Sequence, residues 1–230
     1  MKQVFVKTEN FTEFAGICDE LISPESAVGP SMAMVTGRAG RGKTESSRFY
    51  AVNSDAIYVR TLPVMSPLMV LREIAFELSA IRPYSTAAAL SIIDEEMAKR
   101  RRIVLIDEAD LIRMEVLETL RGINERCGCP VVLIGEEDLA QKVGSRRRIH
   151  SRIRRKMNFR PITQADIALF YGQSLGVEPE PKALGGLFKN CKGDWRTMVK
   201  SAADIERAMR ASSLSRITHE LADEVLRSHD

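Results

Sequence analysis

The segment Gly37-Arg38-Ala39-Gly40-Arg41-Gly42-Lys43-Thr44 constrains this chain more than any other. It satisfies G-x-x-x-x-G-K-[ST] and stands between an apolar run at 32–36 and a helical pattern that begins at Lys43, the strand-to-helix context such a loop requires. Its glycines let the backbone turn successive N–H groups inward around a β-phosphate, and the helix start adds its positive dipole end. The Lys43 ammonium then reaches β and γ oxygens, and the Thr44 hydroxyl is placed to ligate Mg2+. The segment reads as a cradle for a nucleoside triphosphate.

Around this loop, continuously apolar runs at 32–36, 56–60, 103–106 and 131–134, with a weaker fifth at 157–159, alternate with helical patterns at 43–52, 67–81, 86–101 and 115–126. Runs without polar alternation are what parallel strands buried on both faces look like, so the pattern implies an α/β fold: a central parallel sheet between two layers of helices. After Pro161 the strand signal stops, and helical stretches follow at 164–175, 181–190, 195–212 and 218–228. At the front, Asn10 with Glu13 three residues on marks a helix start, and Phe11, Phe14, Cys18 and Leu21 form one apolar stripe. The expected organisation is an amino-terminal helical segment packing on the core (1–22), the core (23–161) and a small all-helical lid (162–230).

Composition adds exclusions. With 44% hydrophobic and 28% charged residues the chain is far from disordered or collagen-like sequences. No apolar run approaches the roughly 18 to 20 residues that span a bilayer, and residues 1–10 lack a signal pattern, so no membrane partner and a cytoplasmic location are expected. Cysteines at 18, 127, 129 and 191 match neither paired zinc knuckles nor a C-x-x-C redox site and read as reduced thiols. His150, His219 and His229 form no ligand set.

The strand at 103–106 runs into Asp107-Glu108-Ala109-Asp110, which puts paired acids at the carboxyl edge of a sheet beside the cradle. Asp107 is placed to hold Mg2+ through water, and Glu108 to orient and polarise the water that attacks the γ-phosphate. A strand followed by acidic first-turn residues is the plainer alternative. The strand at 131–134 ends in Gly135-Glu136-Glu137-Asp138, which reads as acids at a helix amino end.

The net charge of +3 hides an asymmetry. Between 139 and 165 lie nine Lys or Arg and no acid, while the other 25 basic residues face 31 acidic ones, a net charge of −6. A local basic block points to a specific polyanion contact. Three uses stay open for 146–156: Arg152 as an arginine finger for a neighbouring subunit's ATP, Arg146, Arg147, Arg148, Arg154 and Arg155 as contacts to nucleic-acid phosphates, or a plain solvated loop. Further on, Asp194 is a helix amino cap that is followed by Trp195, the single tryptophan, and by Arg196, which either folds over the γ-phosphate or is merely exposed.

In this order, the phosphate loop, Ile106-Asp107-Glu108, Ser151-Arg152-Ile153 and Gly193-Asp194-Trp195-Arg196 make the chain resemble AAA+ ATPases over roughly residues 10 to 210. Leu133-Ile134-Gly135 after Cys129-Pro130, Phe159-Arg160-Pro161 after the Ser151 turn, and the terse lid are most similar to the short ATPases of DNA transposition, of the phage Mu B and Tn7 target-selection kind. The resemblance implies an AAA+ core and lid, with ATP bound by residues 37–44 and Asp107, and Mg2+ served by Thr44 and Asp107. It implies Glu108 as catalytic base, Arg152 as the finger acting in trans and Arg196 as second sensor. Members of that group form ATP-dependent helical filaments on duplex DNA and present the target to a transposase that triggers hydrolysis. Homo-oligomers with ATP at subunit interfaces, duplex DNA and a transposase are thus the implied partners.

Two departures stand out. Many relatives carry Asn, Thr or Ser where this chain has Glu136, and a carboxylate there repels a γ-phosphate unless protonated or turned away. The about thirty residues before the phosphate loop are too few for the extra DNA-binding domain of the Mu B kind, so DNA contact is expected from the core itself. A replication-initiator or helicase-loading ATPase and a slowly hydrolysing, nucleotide-gated adaptor are the alternatives.

Overall fold

The computed structural model describes residues 1–212 and 214–227. Two compact units emerge: Asn10–Arg38 with Lys43–Phe159, and Met1–Glu9 with Ala39–Gly42 and the chain from Arg160 onward. The 1–22 segment is therefore divided, its first nine residues grouping with the helical unit and the remainder with the sheet.

The sheet unit holds five parallel strands: β1 Met32–Thr36, β2 Ile57–Arg60, β3 Val104–Asp107, β4 Val131–Ile134 and β5 Ile153–Asn158. They are ordered β2-β3-β4-β1-β5, so β1 and its phosphate loop lie off-centre, between β4 and β5. Every residue of β1, β3 and β4 is buried, as strands covered on both faces must be. Helices α2 Lys43–Asn53, α3 Pro67–Ser79, α4 Thr86–Lys99 and α5 Met114–Cys127 form the crossovers. Ser66 and Ser85 cap α3 and α4 by accepting from Met69 N and Ala88 N, and Gly128 ends α5 in the left-handed conformation.

Three expectations are corrected. The fifth strand begins at Ile153, four residues before the apolar signal, because β5 is an edge strand, which tolerates the charged Arg154, Arg155 and Lys156. Two short helices, α6 Asp138–Gly144 and α7 Arg147–His150, break up what reads in sequence as one basic loop. The first helix, α1, runs Glu9–Ile22, so Asn10 is a buried first-turn residue and not the residue before the helix. Phe14, Cys18 and Leu21 of its stripe are fully buried; Phe14 meets Tyr50 and Phe159 edge-on with ring centroids 5.9 and 6.2 Å apart.

The helical unit comprises α8 Gln164–Leu175, α9 Pro181–Cys191, α10 Trp195–Ser212 and α11 His219–Arg227; Ser228, where the last helix was expected to end, and His229 lie outside the described residues. Thr163 and Asp166 close a reciprocal capping box at α8. Tyr171, Leu187, Met198, Ile205, Ile217 and Leu221 build a core of this unit's own. Among the described residues no helix is long and apolar enough to cross a membrane.

Leu133, fully buried on the central strand, should on replacement by Ala cost about 2–5 kcal/mol in urea unfolding. Val64→Ala, at a position 70% exposed, should shift the midpoint by less than about 0.5 kcal/mol.

Candidate functional site

In the sheet unit the candidate site grows from the carboxyl ends of β1, β3 and β4. Gly37 leaves β1 at φ 150° with its Cα against the Phe159 backbone; a Cβ there would lie 3.0 to 3.3 Å from three Phe159 atoms. Lys43 opens α2, and its Nζ donates to the Gly37 and Arg38 carbonyls at 2.5 and 3.1 Å, folding the side chain back along the loop. Burial pushes this ammonium below the ordinary lysine range; the carboxylates of Glu136, Asp107, Asp110 and Glu108 oppose that shift. Four acids that end or follow β3 and β4 thus favour the charge of one lysine. Thr44, one residue further into α2, is half-buried beside it.

Asp107, the last residue of β3, is 2% exposed. Its Oδ2 accepts from the Tyr58 hydroxyl at 2.8 Å and its Oδ1 from Glu108 N at 3.0 Å. Burial first, and then the Asp107 charge, push the Tyr58 phenol up, which keeps it a donor. Each Asp107 oxygen retains acceptor capacity. One carboxylate and one hydroxyl suit Mg2+, which draws most of its ligands from phosphate and water.

Glu108 occupies the left-handed region at φ 60°, a conformation that costs a non-glycine residue about 1–2 kcal/mol. Its backbone is pinned by Thr61, whose fully buried hydroxyl lies 2.8 and 3.0 Å from the Asp107 and Glu108 carbonyl oxygens. Its carboxylate pairs with Arg60 at 3.1 Å. Asp110 accepts from Glu136 N at 2.9 Å, and Lys142 straps the same loop by donating to the Asp110 and Ile112 carbonyls, each at 2.6 Å. Glu136 is exposed, and α6 begins two residues beyond it.

In the helical unit, the loop tip 39–42 is held by the turn before α10. Asp194 accepts from Arg196 N at 2.6 Å and Thr197 N at 3.2 Å, capping α10, and Arg196 itself is exposed. Arg38 and Ala39 are exposed, whereas Arg41 is buried.

The basic block resolves into separate roles. Arg152 pairs with Glu125 at 2.8 Å, Arg154 donates to the Val28 carbonyl at 3.0 Å, and Arg155 grips Glu20 at 2.8 and 3.0 Å. Arg146, Arg147 and Arg148 are exposed around buried Ile149 and carry no side-chain bond or ion pair among the described residues. Arg152 immediately precedes β5, whose register pairs Ile153 with Met32 and Asn158 with Thr36. It therefore sits at the opposite end of the strand from the phosphate loop.

A family model described as AAA domain matches residues 27–143, just over half of the chain and all of the sheet-unit site. The chain belongs to the AAA domain family. It is 32% identical over 146 residues to the ATP-dependent target DNA activator B of Escherichia phage Mu, covering 60% of this chain and 47% of that protein. It is 22% identical over 261 residues to a potential ATP-binding protein of Staphylococcus aureus, covering 96% and 94%. Among solved structures, the Aeropyrum pernix ORC2 protein superposes with a TM-score of 0.72 at 17% identity, over 98% of this chain and 68% of that one, which shows a shared fold. The chain spans about half the length of the Mu-type relatives it matches.

Within this AAA domain, the sequence brought Lys43, Asp107 and Glu108 into view but not Tyr58, Arg60 or Lys142. Tyr58 and Arg60 reach the acids only because β2 lies beside β3, an adjacency that strand order decides. Lys142 was one of nine basic residues in a block until α6 fixed its direction.

Gly135 has a role of its own: a Cβ there would overlap the Asp110 carboxylate that receives Glu136 N. Gly135→Ala should lower thermal stability by several degrees, about 1–3 kcal/mol of overpacking. Gly122→Ala, in α5 with nothing within 4 Å, should instead raise it by about 0.5–1 kcal/mol. Calorimetry of the two variants checks the contrast.

Proposed function

We propose that this chain is an ATP-dependent DNA-binding ATPase that assembles on duplex DNA and serves in transposition as target selector and transposase activator, with hydrolysis driving disassembly. The observation carrying this reading is Lys43 folded along the phosphate loop, with Asp107 and Glu108 at the carboxyl end of β3, within the segment that matches an AAA domain. The likeness to the target DNA activator B of phage Mu supports the transposition role.

On this reading the N–H groups of 37–44 and the Lys43 ammonium hold the β and γ phosphates. Thr44 and Asp107 would hold Mg2+, directly and through water, and the ion supplies charge neutralisation of the triphosphate. Glu108 takes a proton from the attacking water. To do so its carboxylate must leave Arg60, so the resting ion pair restrains turnover until assembly or DNA displaces it.

The far end of β5 supports Arg152 as a finger in trans: from there it reaches no phosphate on its own chain's loop, only one on a neighbour. The Glu125 pair holds it in place until then. Arg196 serves as second sensor. For duplex DNA, Arg146, Arg147 and Arg148 are the strongest contacts, since Arg154 and Arg155 are already engaged. The slowly hydrolysing adaptor remains as a second reading, favoured by the Arg60 pair and by Glu136 beside the cradle.

Assembly, phosphate release and salt dependence test the proposal. Electron micrographs and gel shifts of the parental chain should show assemblies on duplex DNA only with ATP, and Lys43→Ala should show none. Glu108→Gln should keep the assemblies while lowering phosphate release by about 100-fold or more, and Arg60→Ala should raise release without DNA. DNA binding that is indifferent to nucleotide would sink the reading, and background phosphate release with DNA and transposase present would favour the adaptor. Separately, replacing Arg146, Arg147 and Arg148 by Ala should weaken DNA affinity and reduce the slope of log affinity against log salt by about 2 to 3. An unchanged slope would move the DNA contact elsewhere.

A further inference from the structure

The side chain of Arg41 does something the phosphate-loop pattern does not ask for. The pattern leaves that position open, and an arginine on a loop tip is ordinarily solvated. Here it is 9% exposed, and Nη1 donates to the Lys192 carbonyl at 3.2 Å and to the Gly193 carbonyl. A guanidinium does not shed its charge on burial, so it needs acceptors, and these lie at the carboxyl end of α9, where the helix dipole is negative.

The turn is shaped for this contact. Lys192 and Gly193 both adopt positive φ, 49° and 76°, which folds the chain back after α9. A Cβ on Gly193 would overlap the Arg41 guanidinium. The rest of the loop tip is fastened to the same turn: Trp195 N donates to the Gly40 carbonyl at 2.9 Å, Gly40 lies where a Cβ would overlap the Asp194 carboxylate, and a Cβ on Gly42 would lie 3.2 Å from Trp195 Cδ1. Residues 39–42 and 192–195 thus form one interlocked piece of the helical unit.

We propose that Arg41 is a positioning residue: it sets the loop tip in its phosphate-binding shape and transmits nucleotide occupancy to α9 and α10 through the turn 192–195. The inference rests on the proposed nucleotide-binding role of the loop and adds a route that does not pass through Arg196. Phosphate entering the cradle pulls on the N–H groups of Gly40 and Gly42. Because Gly40 O and the Arg41 side chain are bonded into the turn, that pull moves Trp195.

Trp195, the single tryptophan, reports directly. In the full chain, Mg-ATP should change tryptophan emission and increase amide protection across 181–200. Arg41→Ala should still bind ATP by calorimetry, about 3- to 10-fold more weakly, with the emission change and the added protection lost. Arg41→Gln, which keeps one amide donor, should be intermediate, and serves if the alanine variant fails to fold by circular dichroism. If Arg41→Ala or Arg41→Gln binds ATP as the parent does and gives the full emission change, the proposal is overturned. It is overturned too if the parent binds ATP with no response at Trp195 or across 181–200, while the nucleotide-binding reading survives. A parent that binds no ATP defeats that reading first.

Discussion

The ammonium of Lys43 is the group on which the sheet unit's site turns. It is withdrawn from water, which disfavours its charge; four carboxylates that end or follow β3 and β4 oppose that shift, and the Gly37 and Arg38 carbonyls accept its hydrogens. Remove the ammonium and those carboxylates face one another across an empty cradle. Add a triphosphate to the proposed site and the balance shifts the other way, because one lysine then faces four acids and the phosphates together. Arg60 is already committed to Glu108. On the proposed reading the further cations are Mg2+ and an arginine of another copy of the chain, which is an electrostatic reason for hydrolysis to wait for assembly.

Folding redistributes the basic block. Nine cations without an acid look in sequence like one polyanion-binding surface. Six of them are engaged within the chain: Lys142 on two carbonyls, Arg152 on Glu125, Arg154 on Val28, Arg155 on Glu20, Lys156 on His150 and Arg160 on Glu9. Their acidic partners come from α1 and α5, distant in sequence, so a window along the chain sees only the positive half of each pair. What remains for a partner is the short stretch Arg146 to Arg148, raised on a four-residue helix and anchored by Ile149.

Legibility followed burial and locality. Strands β1, β3 and β4 are visible because residues covered on both faces are continuously apolar, and the phosphate loop because its glycines and lysine are contiguous. The start of β5 is hidden because an edge strand tolerates charge, and Asn10 misleads because a good capping residue can also be buried one position into a helix. Tyr58, Arg60 and Arg41 act through contacts across 49, 48 and 152 positions of sequence, and nothing local announces these.

Backbone strain marks where local preference gives way to the site. Three non-glycine residues among those described have positive φ: Ala80, Glu108 and Lys192. Ala80 and Lys192 are both left-handed helix ends, after α3 and α9, and Ala80 is closed by its bond to Phe76. Glu108 and Lys192 flank the two halves of the proposed mechanism, one aiming the acid and the other the carbonyls that take Arg41. Glu108 ends no helix, so its conformation persists because Thr61 and Arg60 hold it, whereas Lys192 ends α9 and carries one of the carbonyls that take Arg41. The chain therefore holds its acid and its loop tip in defined places through several contacts each.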